Sequence, residues 1–82
     1  MQAIMYSLYV GNYANPAATK EDIIKLNKLG LKGFVFSRGN HYAIKAFSSP
    51  DAAKTNYVKE CLEKNHFIVE LEAINLKTSL HL

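Results

Sequence analysis

The sequence predicts an α+β domain with four antiparallel strands beneath two helices, and three observations predict it. The chain repeats at a fixed offset, a period-two apolar run opens each half, and a helix-start signal follows each run. Residues 10–18 align position by position with residues 44–52 at an offset of 34. An aromatic (Tyr13, Phe47), a small polar residue before proline (Asn15, Ser49), the proline (Pro16, Pro50) and an alanine (Ala18, Ala52) all recur.

Each half runs in the same order. Tyr6, Leu8 and Val10 alternate with non-core types, as do Tyr42 and Ile44, which describes strands with one buried face. Ser7, Tyr9, His41, Ala43 and Lys45 then point to the opposite face. Asn15-Pro16 and Ser49-Pro50 start the helices. The polar side chain accepts from an orphan amide, and proline gives up an N–H that had no partner there. Thr19 with Asp22 three residues on is an alternative start for the first helix.

The first helix offers Ile23, Ile24 and Leu26 to the core before Gly30 ends it. The second offers Ala53, Tyr57, Val58, Cys61 and Leu62, which places Cys61 on the core face as a small hydrophobe. Strands at residues 31–37 and 67–71 follow the helices, and Ser37-Arg38-Gly39-Asn40 makes a tight hairpin between the second and third strands. The order is β-α-β-β-α-β. Two right-handed crossovers of this kind give the ferredoxin-like arrangement, with an internal two-fold repeat, both helices on one sheet face and the other face open. Residues 73–82 form a tail with Ile74, Leu76, Leu80 and Leu82, for which a fifth edge strand, a short helix and a partner-contacting arm all stay open.

Composition bounds the function. The 82 residues make one domain, and 49% apolar with 21% charged residues excludes a disordered chain. A domain this small buries only roughly 60–65% of its unfolded surface, so a deep water-excluding pocket does not fit. Residues 1–40 carry five basic and two acidic side chains and residues 41–82 carry five of each, a mild positive bias. Arg38 is the single arginine, which argues against a surface built for gripping phosphates. One cysteine excludes an internal disulfide and any multi-cysteine metal site. No run approaches the roughly 18 apolar residues of a membrane span, and residues 1–10 lack the pattern of a secretory leader. A complete protein of this sequence is expected in the cytoplasm, and a domain of an exported protein at the cell envelope.

The open face carries the candidate site. With Leu31, Gly33 and Val35 facing inward, Phe34 and Phe36 are exposed beside Tyr9, and Gly33 lets a helix approach closely. Ser7, Tyr9, Phe34, Phe36, Arg38, His41 and Lys45 are the expected ligand-binding residues. Flat rings give apolar area at low entropic cost, and the polar rim orients a ligand. Ile68 and Glu70 of the fourth strand join this face. Burial of the phenylalanines in the core, or their use in self-association, are the competing readings. His41, His66 and His81 have no carboxylate at a spacing that suggests a base, and Gly11-Asn12 and Arg38-Gly39-Asn40 are turn glycines rather than a phosphate loop. The reading is a binding module with no catalytic set, metal or cofactor.

These residues resemble a family. Tyr6-Ser7-Leu8-Tyr9-Val10-Gly11-Asn12-Tyr13 with Asn15-Pro16 looks like the opening of the SPOR (sporulation-related repeat) domain, and the match runs without a gap to Phe34-Val35. Tyr42-Ala43-Ile44 with Phe47-Ser48-Ser49 resembles the family's second repeat, so about residues 5–71 are covered. The chain departs from the family pattern at Tyr9 (usually glutamine), at Lys45 (usually glycine), and at Asn65 in place of the second helix-ending glycine. The resemblance implies a domain binding septal peptidoglycan through glycan strands stripped of stem peptides, with the open sheet face as contact surface. It also implies a role in targeting lytic or division proteins.

Two other classes use the same architecture. One is a protein-binding or self-associating adaptor or inhibitor, including a homodimer. The other is an RNA-recognition domain, whose first short motif is similar to Leu8-Tyr9-Val10-Gly11-Asn12-Tyr13. Its second motif belongs on the third strand, where Asn40-His41-Tyr42-Ala43-Ile44-Lys45 lacks the basic residue, the glycine and the second aromatic. Nucleic acid is therefore the weakest of the three partners.

Overall fold

The computed structural model describes residues 3–76. Strand β1 (Ile4–Tyr13) leads through a 3-10 turn (Pro16–Thr19) into helix α1 (Lys20–Lys28). Strands β2 (Phe34–Arg38) and β3 (His41–Ser49), helix α2 (Ala52–Lys64) and strand β4 (Val69–Asn75) follow. All three strand pairings are antiparallel, in the order β2-β3-β1-β4. The fold is α+β, a four-stranded antiparallel sheet with both helices on one face. Leu26 of α1 and Leu62 of α2 meet Leu8, Val10, Ile44 and Ala46 of the central strands in a single cluster.

Strand parity holds except at two bulges. Leu8 pairs with Phe47 but Tyr9 with Lys45, which leaves Ala46 as an extra residue on β3. Val10 pairs with Ile44 but Tyr13 with Tyr42, which leaves one extra residue in β1 around Gly11-Asn12. Each insertion turns the side chains beyond it to the other face. Phe47 and Tyr13 thereby pack against the core that Leu8 and Val10 begin. Gly11 sits at φ +62, and a Cβ there would come within 2.7 Å of the Tyr13 ring. Tyr6 and Tyr42, expected under the helices, stay half-buried outside this cluster.

The helices start and stop in detail. Asn15 accepts from Ala18 N at 3.0 Å, but this caps the 3-10 turn, and α1 begins only at Lys20. The cap of α2 is Asp51, which accepts from Lys54 N at 3.0 Å. Ser49 prepares that start one step earlier, its hydroxyl accepting from Asp51 N at 3.1 Å. Both helices end in a Schellman turn. Leu31 N–H reaches Leu26 O and Gly30 N–H reaches Asn27 O, and Phe67 to Leu62 and His66 to Glu63 repeat the pattern. The left-handed position falls on Gly30 at φ +83 and on His66 at φ +70.

Several expected core positions are corrected. In α1, Ile23 and Leu26 pack inward but Ile24 is exposed. In α2 the inward stripe is Thr55, Val58 and Leu62, whereas Tyr57 and Ala53 are exposed and Cys61 is half-buried outside the core cluster. Thr55 sits inside because its hydroxyl donates to Asp51 O at 2.8 Å, leaving its methyl to pack. The hairpin loop is Gly39-Asn40 alone, since Arg38 already pairs with His41. The first part of the expected tail is the end of β4, where Leu76 N–H donates to Ala3 O at 2.7 Å. Residues 77–82, with Leu80 and Leu82, lie outside the described residues.

Candidate functional site: the open sheet face

The face opposite the helices is built from alternate residues of four strands. On β2, Phe34 and Phe36 are 53% and 41% exposed. They lie opposite Lys45 and Ala43 of β3. The inward side of this strand start is fixed by Gly33, where a Cβ would sit 2.7 Å from Ile44 and 3.2 Å from Leu26. With that backbone pressed onto the core, the next residue must point outward.

Each aromatic ring has a cation beside it. Lys32 Nζ lies 5.6 Å from the Phe34 centroid, Lys45 Nζ 5.4 Å from Phe36, and the Arg38 guanidinium carbon 4.7 Å from Tyr9. Tyr9 meets Phe36 edge to face at 6.2 Å and 81°. Tyr9 and Phe36 are therefore joined directly, with Phe34 two residues away on the same face of β2, and each ring has positive charge beside it.

Acidic groups on β4 close the arrangement. Arg38 reaches across β3 and β1 to Glu70, Nη1 to Oε2 at 3.1 Å. Ala43, opposite Phe36 on β3, lines the groove beneath this reach and adds only a methyl to it. The Tyr9 hydroxyl donates to Glu72 at 3.2 Å. Burial first, then the charge and hydrogen bond of Glu72, push the Tyr9 phenol above its ordinary range, against the opposing pull of Arg38 and Ser7. A groove of about 530 Å3 runs past this network, lined by Tyr9, Asn12, Arg38, His41, Ile68 and Glu70 among others.

Of the expected site residues, Tyr9, Phe34, Phe36, Arg38 and Lys45 come together on this face, and His41 borders the groove. Ser7 does not contribute contact surface. It lies on the open side but is only 2% exposed, its hydroxyl 3.2 Å from that of Ser48. Lys32, Glu72 and Asn12 also border this face, outside the set of expected ligand-binding residues. The period-two spacing of Glu70 and Glu72 was the available signal for the acidic strand. Among the described residues no three His, Cys, Asp or Glu side chains are grouped to hold a metal ion, and no helix is long and apolar enough to cross a membrane.

The fold has a solved counterpart. It aligns with the solution structure of the peptidoglycan-binding domain of the B. subtilis cell wall lytic enzyme CwlC at a TM-score of 0.76, over 92% of this chain and 95% of that one. Sequence identity is 9%, so the likeness is one of fold. No family profile and no curated protein matches the sequence.

Proposed function

We propose that this chain is a non-catalytic binding module of the SPOR kind, and that its open sheet face takes peptidoglycan glycan strands stripped of stem peptides. The observation that carries the reading is the platform of exposed Phe34 and Phe36 with half-buried Tyr9, cation-flanked, on a fold shared with a peptidoglycan-binding domain. Pyranose rings present C–H faces that stack on flat aromatic rings, and a stripped strand keeps lactyl carboxylates that lysine and arginine attract. The same resemblance supports action at the cell wall, alongside lytic or division proteins, when the domain is carried there.

Sedimentation with purified sacculi, before and after amidase stripping, tests the proposal. Co-sedimentation that increases on stripped sacculi supports it, and equal or absent sedimentation on both sinks it. Binding to single-stranded oligonucleotides that collapses with salt would instead favour the nucleic-acid reading.

A further inference from the structure

Arg38 is the most constrained cation on the open face, and its partner is on the wrong strand for a simple neighbour pair. β2 and β4 are opposite edges of the sheet, yet the guanidinium lies 4.7 Å from the Tyr9 ring centre and 3.1 Å from Glu70. The ion pair is solvent-accessible, with side chains 35% and 60% exposed. Pairs of this kind are held weakly and exchange readily for another anion. The contact runs from one Nη to one carboxylate oxygen, whereas a guanidinium offers a five-donor fork suited to bidentate carboxylates.

We propose that Arg38 is a carboxylate subsite held closed by Glu70, which stands in for an acidic group of the ligand. A sugar-borne carboxylate takes Glu70's place on the guanidinium, and the released Arg38 uncovers the Tyr9 ring for stacking. The proposal deepens the glycan reading and rests on it for the ligand, a muramyl lactyl group. It assigns Glu70 a selective role, because a neutral saccharide has nothing with which to displace it. Glu72 does not share this role, since it holds the Tyr9 hydroxyl and not the arginine.

The test uses the arginine itself. The chain has one arginine, so its side-chain Nε–Hε signal in a 15N spectrum is a single resolved reporter. The full chain, Glu70→Gln and Glu60→Gln are titrated with N-acetylmuramic acid and with N-acetylglucosamine, which lacks the lactyl carboxylate. The expected result is a shift of the Arg38 signal with the acidic sugar only, half-saturating at two- to fivefold lower concentration in Glu70→Gln. Glu60→Gln, an exposed carboxylate of α2 on the helix side of the sheet, should stay within the wild-type range. Equal gains in both variants would mean general loss of negative charge and overturn the proposal. So would an unchanged Glu70→Gln, or equal responses to the two sugars. If Arg38 responds as expected but stripped sacculi are not bound, the subsite stands and the cell-wall function falls.

Discussion

His66 is the one non-glycine residue in left-handed backbone among the described residues, at φ +70. An L side chain there is strained by roughly 1–2 kcal/mol, partly offset because glycine is more flexible in the unfolded chain. His66→Gly should therefore stabilise the domain by about 0.5–1 kcal/mol, read as a higher urea midpoint at unchanged slope. A lower midpoint would show that the imidazole makes a compensating contact. Tyr13 makes a second residue-scale statement. Burial, then its 2.5 Å hydrogen bond to Asp22, raises its phenol well above the ordinary 10.0. The folded state holds that proton more tightly than the unfolded chain. The contribution is thus complete below pH 10 and is lost as pH climbs above it. Melting temperatures measured from pH 9 to 11 should fall, and Tyr13→Phe should flatten the decline apart from the part due to Tyr9, whose phenol is also raised.

At the scale of elements, the two halves show what a sequence discloses. The 34-residue offset aligns strands and prolines, because period-two runs and Pro-bearing turns are local signals. Past the prolines the offset becomes 36, with Leu26 matching Leu62 and Gly30 matching His66 at the two Schellman turns. The first half enters its helix through a 3-10 turn, which rises about 2.0 Å per residue against about 1.5 Å, so fewer residues cover the same span. The α2 stripe keeps Val58 and Leu62 but departs from the expectation elsewhere for a related reason. Apolar type pointed to Tyr57 and Cys61, while the inward position went to Thr55, whose hydroxyl is satisfied by the helix's own first turn. The cap shows the same limit, since Ser49-Pro50 marks the turn and Asp51 does the capping. Asp51→Ala should cost about 1 kcal/mol, and Ser49→Ala clearly less. Urea melts ranking the two in reverse would return the cap to Ser49.

For the whole molecule, apolar residues are divided between two sheet faces, one covered by the helices and one open. Leu8, Val10, Leu26, Ile44, Ala46 and Leu62 form the buried cluster under the helices. Tyr9, Phe34 and Phe36 form the platform on the other side. The outward phenylalanines were legible once Gly33 fixed the parity of β2, because side-chain alternation is strict within a strand. The link from Arg38 to Glu70 was not, because it joins opposite edges of the sheet and no local spacing encodes it. This division makes stability and binding separable. Leu62→Ala removes a fully buried side chain and should cost about 2–4 kcal/mol, a large part of the roughly 4–12 kcal/mol that holds a domain of this size together. Phe36→Ala removes a ring 41% exposed in one edge-to-face contact and should cost only about 1 kcal/mol. It should nevertheless weaken binding to stripped sacculi about fivefold or more, since a stacked ring is lost from the centre of the platform. Urea midpoints and sacculus sedimentation on the two variants read both quantities. If Phe36→Ala unfolds the domain as readily as Leu62→Ala, or binds stripped sacculi as well as the unaltered chain, the open face is not an independent binding surface.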